Sequence, residues 1–199
     1  AARFMANPQS QIIAFIGCGV QARSHLDIFA DLYPLTKVRA LGRGKKNSDA
    51  LLARAAALGL DATTADDGRA AIADADLVIT TVPDSPNMKH FMDARDLKSG
   101  AFVAMVDLAR TWFPDSLDAI HRIIVDDRAQ EATMSNPMVA LNLVTGDLQD
   151  LVSGRVTGPT RAEERTAFAF RGIAVGDLAL ASLAFDVALA KNFGCELPR

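Results

Sequence analysis

Residues 12–22 read Ile-Ile-Ala-Phe-Ile-Gly-Cys-Gly-Val-Gln-Ala, an apolar run that leads into a G-x-G-x-x-A turn. Gly17 permits the tight turn, Gly19 leaves the backbone open to a pyrophosphate, and the small Ala22 lets the following helix pack closely. The amino terminus of such a helix offers unpaired N–H groups and a favourable dipole to an anion. The stretch predicts a dinucleotide-binding turn; the alternative is a glycine turn without a ligand. The expected cofactor-binding residues here are Gly17, Gly19, Val20, Gln21 and Ala22.

Short apolar runs alternate with helical stretches along most of the chain. Beyond 12–16, strands are predicted at 36–41, 60–64, 77–82, 100–106, 123–125 and 166–170, and helices at 20–32, 48–58, 66–73, 134–145 and 174–192. This alternation is typical of parallel strands joined by crossover helices, and near-continuous apolar strands suit a sheet covered on both faces. The sequence therefore predicts an α/β fold, a Rossmann-like, doubly wound, mainly parallel sheet.

The last predicted helix, 174–192, is apolar on nearly every side. A helix of this kind must be buried on several sides. A single Rossmann-like domain does not supply that much cover. We therefore expect this helix to pack on something beyond the sheet.

Composition excludes several classes of function. The 199 residues carry a net charge of −3 and are 50% hydrophobic, which predicts neither a nucleic-acid partner nor an anionic membrane surface. Charges interrupt every apolar stretch too early for it to span a bilayer. The two cysteines and three histidines show no metal-ligand spacing, so no metal site is predicted. Widely separated cysteines suit a reducing compartment, and we expect a cytoplasmic protein.

The end of the second predicted strand bears on the choice between NAD and NADP. An acidic residue at this point would bind the ribose 2′-hydroxyl, whereas basic residues accommodate a 2′-phosphate. Gly42 stands where the acidic residue belongs, and Arg43, Lys45, Lys46 and Ser48 follow it. The sequence therefore predicts NAD(P) binding with NADP(H) preferred over NAD(H). The alternative is a solvated basic loop. Ser48 is also predicted to cap the helix that begins there.

The G-x-G-x-Q-A-R turn resembles that of the ornithine cyclodeaminase/μ-crystallin family. Other stretches are similar to family motifs and occur in the same order: residues 73–81, 97–101, 125–130, 146–148 and 170–179. No one of these motifs is specific alone, but the colinear set is.

The resemblance implies a two-domain, usually dimeric subunit, so we expect a homodimer in the intact protein. A first domain would bind an amino or imino acid and form the dimer, and the C-terminal helix would return to it. Residues 8–165 would then form the dinucleotide-binding domain. Residues 1–7 and 166–199 would belong to the substrate and dimer domain, most of which would precede residue 1.

The resemblance also implies hydride transfer at the amine-bearing carbon of an amino acid, with an ammonia-releasing ornithine cyclodeaminase as the leading hypothesis. An imine or ketimine reductase or amino-acid dehydrogenase is the alternative within the family. A non-catalytic, μ-crystallin-like NADPH-binding protein is the alternative of another class. The chain as given is expected to bind a dinucleotide without turning over substrate.

The resemblance places further residues in the site. It puts Gly172 beside the cofactor and Ile173 beside the substrate, with a plain strand-to-helix turn as the alternative; Thr81, Val82 and Val106 are also predicted beside the cofactor. Arg110, near Trp112, is predicted either to shape a substrate pocket or to anchor its loop. The family's acid–base aspartate would fall at Ala109, where this chain has no carboxylate. Asp107, two positions earlier, is either the catalytic replacement or a structural aspartate at a strand end.

Overall fold

The computed structural model describes residues 1–85 and 88–195. Its centre is one sheet of eight strands in the order β3-β2-β1-β4-β5-β8-β6-β7. Every neighbouring pair is parallel. The strands are β1 Ile12–Ile16, β2 Lys37–Leu41, β3 Asp61–Thr64, β4 Leu77–Thr80, β5 Phe102–Met105, β6 Arg122–Val125, β7 Val144–Asp147 and β8 Thr166–Ala169. The predicted α/β, doubly wound class is confirmed.

Seven α-helices occur in the described residues. They are α1 Ala2–Met5, α2 Val20–Leu32, α3 Lys45–Ala57, α4 Gly68–Ile72, α5 Arg128–Thr133, α6 Leu148–Val152 and α7 Ala174–Ala190. Short 3-10 turns at Ala94–Asp96, Pro114–Ala119 and Leu141–Leu143 complete the connections.

Burial on both faces explains why the central strands β1 and β5 are apolar throughout. In β1, Ala14 and Ile16 join the core on one face of the sheet, while Ile13 and Phe15 join the core on the other. Side chains alternate between the faces of a strand, so a strand covered on both sides needs apolar residues at every position.

Two predicted helices differ from the structure. α3 begins at Lys45 with Gly44 as its N-cap, and Ser48 is a buried residue inside the helix rather than its cap. The helix predicted over 134–145 is wrong: a loop, a 3-10 turn and the start of β7 occupy these residues. Pro137 disfavours helical backbone at the residue before it. The helix lies earlier, at α5, where Asp127 accepts the N–H of Gln130.

β8 lies inside the sheet, between β5 and β6. The predicted domain boundary after residue 165 would separate this central strand from its neighbours. Met5 of α1 is buried in the sheet's core as well. Residues 196–199 of the expected C-terminal segment lie outside the described residues.

α7 has no buried residue. Its large apolar side chains are between 44% and 70% exposed: Val175, Leu178, Leu180, Leu183, Phe185, Val187 and Leu189. The prediction of one apolar helix over residues 174–192 is confirmed, and the observed helix ends two residues earlier, at Ala190. Across the part of the chain that the structure describes, no helix is long and apolar enough to cross a membrane.

Candidate functional site

The G-x-G-x-x-A turn lies where the order of strands reverses, between β1 and β4. Crevices at such points, outside the carboxyl ends of the strands, are the usual ligand sites of open α/β sheets. Gly17 has φ +93°, and a Cβ there would lie 2.8 Å from the carbonyl oxygen of Thr81. The Thr81 hydroxyl donates to the Gly17 carbonyl at 3.1 Å. Glycine is therefore required at position 17 by both its backbone angle and its neighbour.

The amino terminus of α2 is open. Gly19 is the N-cap, and none of the described side chains caps the helix. A Cβ on Gly19 would meet nothing within 4 Å, so this side of the turn faces free space. Val20 and Gln21 are exposed, whereas Ala22 is fully buried. Unpaired N–H groups at the end of a 13-residue helix fit the pyrophosphate of a dinucleotide.

The end of β2 is closed to a carboxylate. A Cβ on Gly42 would lie 2.8 Å from Cys18 Sγ and 2.9 Å from Ser48 Oγ. Burial raises the pKa of the Cys18 thiol, and its hydrogen bond with Ser48 acts in the opposite direction. Gly42 thus stands where an NAD-binding aspartate would stand, with its side-chain space already taken by two neighbours.

Basic side chains surround the start of α3. Arg43 and Lys46 are exposed, and neither forms an ion pair with a described residue. Lys45 differs, because its Nζ lies 2.9 Å from Asp49 one turn along the helix. The amino terminus of α3 also lacks a capping side chain among the described residues. Two positive charges and an open helix end therefore lie beside the Cys18–Gly42–Ser48 contact.

Asp107 lies at the carboxyl end of β5 and is 6% exposed. The Thr80 hydroxyl donates to its Oδ1 at 2.6 Å, and the Thr111 hydroxyl donates to its Oδ2 at 2.9 Å. Burial raises the pKa of the Asp107 carboxyl, against the opposing effect of these hydrogen bonds. Both oxygens are thus engaged inside the protein. This geometry matches an aspartate that anchors a loop.

The turn after Asp107 is strained. Leu108 and Ala109 have φ of +59° and +57°, and the Arg110 N–H donates to the Asp107 carbonyl at 3.0 Å. Two successive positive φ angles define a mirror-image turn that normally carries glycine or asparagine. Leucine and alanine each lose roughly 1–2 kcal/mol in this conformation. The surrounding contacts must hold the turn in place.

A second group of buried carboxylates fixes the turn between β8 and α7. Asp126 Oδ2 accepts the N–H groups of Arg171 and Gly172 at 2.9 and 2.5 Å. Arg171 Nε donates to Glu131 Oε2 at 2.8 Å, and Glu131 also accepts the N–H of Met138. This ion pair raises the pKa of Arg171. No local sequence pattern points to Glu131, because its partner Arg171 lies 40 residues away.

Arg110 approaches the same group from the β5 side. With the Asn136 amide oriented to satisfy both groups, its oxygen accepts from Arg110 Nη1 and Nη2 at 2.9 and 3.1 Å. The carbonyl of Asn136 accepts from Arg171 Nη2 at 3.3 Å. Of the two residues predicted for the substrate, Arg110 therefore reaches the β8 turn through Asn136.

Ile173, the other predicted substrate residue, lies on a separate cavity of about 650 Å³ beyond β6 and β7. Its lining includes Asp126, Asp127, Asp147, Val152 and Val175. None of the residues of the G-x-G-x-x-A turn lines it. Within the described ranges, no group of three potential metal ligands occurs.

Comparison of the sequence with models of known protein families identifies the family of this chain. The model of the ornithine cyclodeaminase/mu-crystallin family matches residues 1–192. The chain belongs to this family. This confirms the family predicted from the G-x-G-x-Q-A-R turn and the colinear motifs.

Individual relatives and structural neighbours are distant from the chain in sequence. Ketimine reductase mu-crystallin of Macropus fuliginosus is 27% identical over 94% of this chain and 58% of its own length. The structure of Thermococcus litoralis Δ1-pyrroline-2-carboxylate reductase with NADH and L-proline superposes with a TM-score of 0.86 at 20% identity, over 99% of this chain and 64% of that one. An archaeal alanine dehydrogenase dimer with bound NAD gives 0.85 at 23%, over 100% and 63%. The chain thus spans about three fifths of these proteins.

Proposed function

We propose that this chain is the dinucleotide-binding part of an NADP(H)-dependent enzyme that transfers hydride at the amine-bearing carbon of an amino or imino acid. The observation that carries the proposal is the uncapped α2 terminus behind Gly17 and Gly19, at the point where the strand order reverses. Family membership supplies the class of chemistry, and the open turn supplies a site that fits its cofactor.

Each half of the cofactor has candidate ligands. The pyrophosphate would lie on the turn formed by Gly17, Gly19, Val20, Gln21 and Ala22. The nicotinamide end would lie against the β4, β5 and β8 ends, near Thr81, Val82, Val106 and Gly172. When bound, the cofactor supplies or accepts the hydride. The chain's own part is to orient it through backbone N–H groups and to exclude water with buried strand ends.

The preference for NADP(H) rests on this chain's own residues, because the two structures named above contain NADH and NAD. Cys18 and Ser48 occupy the space that an aspartate at Gly42 would need. Arg43 and Lys46 are unpaired among the described residues and lie at the open end of α3. A 2′-phosphate suits this surface better than a hydroxyl does. Lys45 contributes less, because Asp49 partly neutralises it.

The nicotinamide half favours a reductase or dehydrogenase over a cyclodeaminase. Cyclodeaminase chemistry needs a proton-transferring acid where this chain has Ala109. Asp107 is the nearest carboxylate, but two threonine hydroxyls already occupy its oxygens. We therefore assign Asp107 to anchoring the turn that carries Arg110. Replacing it with asparagine in the intact protein tests this role, because a proton-transferring acid would lose turnover entirely.

The exposed apolar side chains of α7 support a second domain. We propose that α7 and the chain near α1 pack on a substrate domain, and that this domain forms a homodimer. Seven large apolar side chains on one helix exceed what a monomer normally exposes. Sedimentation of the chain with and without the remaining part of the subunit tests the proposal.

Separate titrations with NADPH and NADH test the cofactor assignment. The single tryptophan, Trp112, is buried at 0% exposure and follows the Asp107 turn, so its fluorescence reports binding. We expect NADPH to bind at least tenfold more tightly than NADH. Arg43→Ala should weaken NADPH alone, whereas Arg69→Ala, an exposed residue elsewhere, should change neither. Tighter binding of NADH would overturn the preference.

Activity assays of the whole enzyme then separate the reactions. Oxidation of NADPH with a cyclic imino acid supports the reductase. Release of ammonia from ornithine supports the cyclodeaminase. Tight NADPH binding with neither activity supports a non-catalytic binding protein.

A further inference from the structure

We propose that Asp126 is a positioning residue for the nicotinamide half of the cofactor, because it holds the backbone of Gly172 at the edge of the crevice. The proposal rests on the proposed function, since it assumes a cofactor whose pyrophosphate lies on the G-x-G-x-x-A turn. It assigns a role to a residue outside the predicted cofactor and substrate residues. Asp126 acts through the turn between β8 and α7 and makes no contact with the cofactor itself.

The turn between β8 and α7 lies at the same edge of the sheet as the G-x-G-x-x-A turn. Every neighbouring pair of strands is parallel, so the carboxyl ends share one edge, and β8 lies two strands beyond β4. A dinucleotide bound where the strand order reverses extends over both halves of the sheet. Since the proposed adenosine half faces β2 and α3, the other half faces β5 and β8. Gly172, three residues after the end of β8, stands on that side.

Apolar packing does not fix this turn. A Cβ on Gly172 would meet no atom within 4 Å, Ile173 borders the cavity of about 650 Å³, and α7 has no buried residue. A segment with few buried contacts opens at low cost in free energy. The position of the Gly172 backbone therefore depends on its hydrogen bonds.

Asp126 accepts those hydrogen bonds. The Phe170 N–H donates to the Met105 carbonyl of β5 at 3.0 Å, which continues the pairing of β8 with β5 by one residue. The next two N–H groups, of Arg171 and Gly172, both donate to Asp126 Oδ2, at 2.9 and 2.5 Å. Hydrogen bonds to a charged group are roughly twice as strong as those between neutral groups. One carboxylate oxygen thus fixes two successive peptide units.

Asp126 is itself held in place. It directly follows β6, is 4% exposed, and its Oδ1 accepts the N–H of Asp127 at 3.2 Å. Glu131 binds the Arg171 side chain separately, through a two-point ion pair. Glu131 therefore anchors the side chain that precedes Gly172, whereas Asp126 anchors the Gly172 backbone.

A glycine held in this way suits a flat ring. Gly172 has φ +118°, an angle that side-chain-bearing residues rarely adopt. Without a side chain, its backbone is open to close approach by a ligand. A ring that packs on a backbone fixed before binding loses less free energy to ordering of the loop. Asp126 therefore raises the affinity for the nicotinamide half of the cofactor.

The test compares two ligands that share the adenosine half. 2′-Phospho-ADP-ribose lacks the nicotinamide ring, so the ratio of its dissociation constant to that of NADPH isolates the nicotinamide end. We expect a ratio above about ten in the wild type, and Asp126→Ala should lower it at least about fivefold through lost ordering of the turn. The dissociation constant of 2′-phospho-ADP-ribose itself should stay within about twofold of the wild type, because the adenosine end is untouched. Calorimetry measures both constants.

Asp127→Ala is the matched control. It deletes the adjacent carboxylate, which accepts the Gln130 N–H at the start of α5 instead of the turn. A general loss of stability at this edge would appear in both variants. The ratio of the two dissociation constants should be unchanged in Asp127→Ala.

A second pair of variants tests the place of Gly172. Gly172→Ala should also lower the ratio, since a side chain at φ +118° displaces the backbone that Asp126 holds. Gly154→Ala adds the same methyl group at φ +76°, also in open space, two residues beyond α6. It carries a similar backbone strain outside the crevice and should leave the ratio unchanged.

An unchanged ratio in Asp126→Ala or Gly172→Ala would overturn the proposal. So would an equal loss of affinity for both ligands, or a wild-type chain that binds the two ligands equally. If thermal unfolding shows that Asp126→Ala does not fold, Asp126→Asn decides. Its amide oxygen keeps the contacts with the turn but its NH₂ faces the Asp127 N–H, so the ratio should fall about two- to threefold, and an unchanged ratio would overturn the proposal. Failure of the wild type and every variant to bind either ligand would instead overturn the proposed function.

Discussion

The two ends of the proposed cofactor crevice are built differently. At the end formed by β1, β2 and α3, the G-x-G-x-x-A turn is one continuous run of six residues, and Gly42 lies close in sequence to Ser48, one of its two neighbours. At the end formed by β5, β6 and β8, hydrogen bonds join residues far apart, 27 positions for Thr80 and Asp107 and 46 for Asp126 and Gly172. After the proposed position of the cofactor, we call these the adenosine end and the nicotinamide end.

The charges differ in the same way. The adenosine end exposes Arg43 and Lys46, which no described carboxylate neutralises. The nicotinamide end buries three carboxylates, those of Asp107, Asp126 and Glu131, and each accepts hydrogen bonds from within the chain. Exposed charge is available to a ligand, whereas buried and bonded charge fixes geometry. Ligand affinity is therefore expected to reside mainly at the first end and structural stability at the second.

Removing Glu131 should give the largest effect. Glu131→Ala leaves the Arg171 guanidinium without its carboxylate and the Met138 N–H without its acceptor. Breaking a buried ion pair by deleting one partner costs about 3–5 kcal/mol. We expect a loss of this size in the free energy of unfolding, measured by urea denaturation.

The same change at exposed Glu163 is the matched control for Glu131→Ala. Its side chain accepts no hydrogen bond from a described residue, so Glu163→Ala should stay within about 0.5 kcal/mol of the wild type. Similar losses in the two variants would remove the contrast between the two ends, because they would show that the buried network adds nothing.

A larger side chain at Gly42, in the adenosine end, should change the affinity for the cofactor rather than the free energy of unfolding. In Gly42→Asp, the new Cβ would contact Cys18 and Ser48 at under 3.0 Å, and the carboxylate would face Arg43 and the 2′-phosphate. We expect the dissociation constant for NADPH to rise at least tenfold, with no gain in NADH affinity. Gly42→Ala adds the crowding without the charge and should weaken both cofactors equally. A Gly42→Asp variant that prefers NADH would contradict this assignment.

The difference between the ends also explains what the sequence could predict. The G-x-G-x-x-A turn is local, so its six residues and the flanking strand and helix suffice to predict it. β1 and α2 match their predicted bounds, 12–16 and 20–32. Glu131 and Asn136 carry no local signal, because their partners are 40 and 26 residues away. Only the parallel order of β5, β8 and β6 brings these residues together.

Ala109→Gly tests the strained turn at the nicotinamide end. Glycine accepts a φ of +57° without the roughly 1–2 kcal/mol that alanine loses there, which offsets the lost methyl group and the greater freedom of the unfolded chain. We expect a stability within about 0.5 kcal/mol of the wild type. Ala55→Gly, at a buried position inside α3, has no strain to release and should cost at least about 1 kcal/mol. Equal losses would mean that the turn is not strained.

The smallest effect should be a change of pH dependence in Asp107→Asn. Because burial raises the pKa of Asp107, the folded chain keeps this proton at pH values where the unfolded chain, with a pKa near 3.9, releases it. The native state then binds more protons, so the contribution of Asp107 to stability falls as pH rises through the folded pKa.

Asparagine cannot titrate, so Asp107→Asn should gain stability relative to the wild type as pH rises from about 4.

Glu164 should show the opposite dependence of stability on pH, because its hydrogen bonds with Arg122 and Thr160 lower its pKa to about 2. Its contribution is present above pH 4.5 and is lost as pH falls toward 2. Glu164→Gln should therefore lose stability relative to the wild type as pH rises through that lower window. Urea denaturation across pH 2–7 measures both differences. Parallel pH profiles for Asp107→Asn and the wild type would mean that the two threonine hydroxyls fully compensate for the burial of this carboxylate.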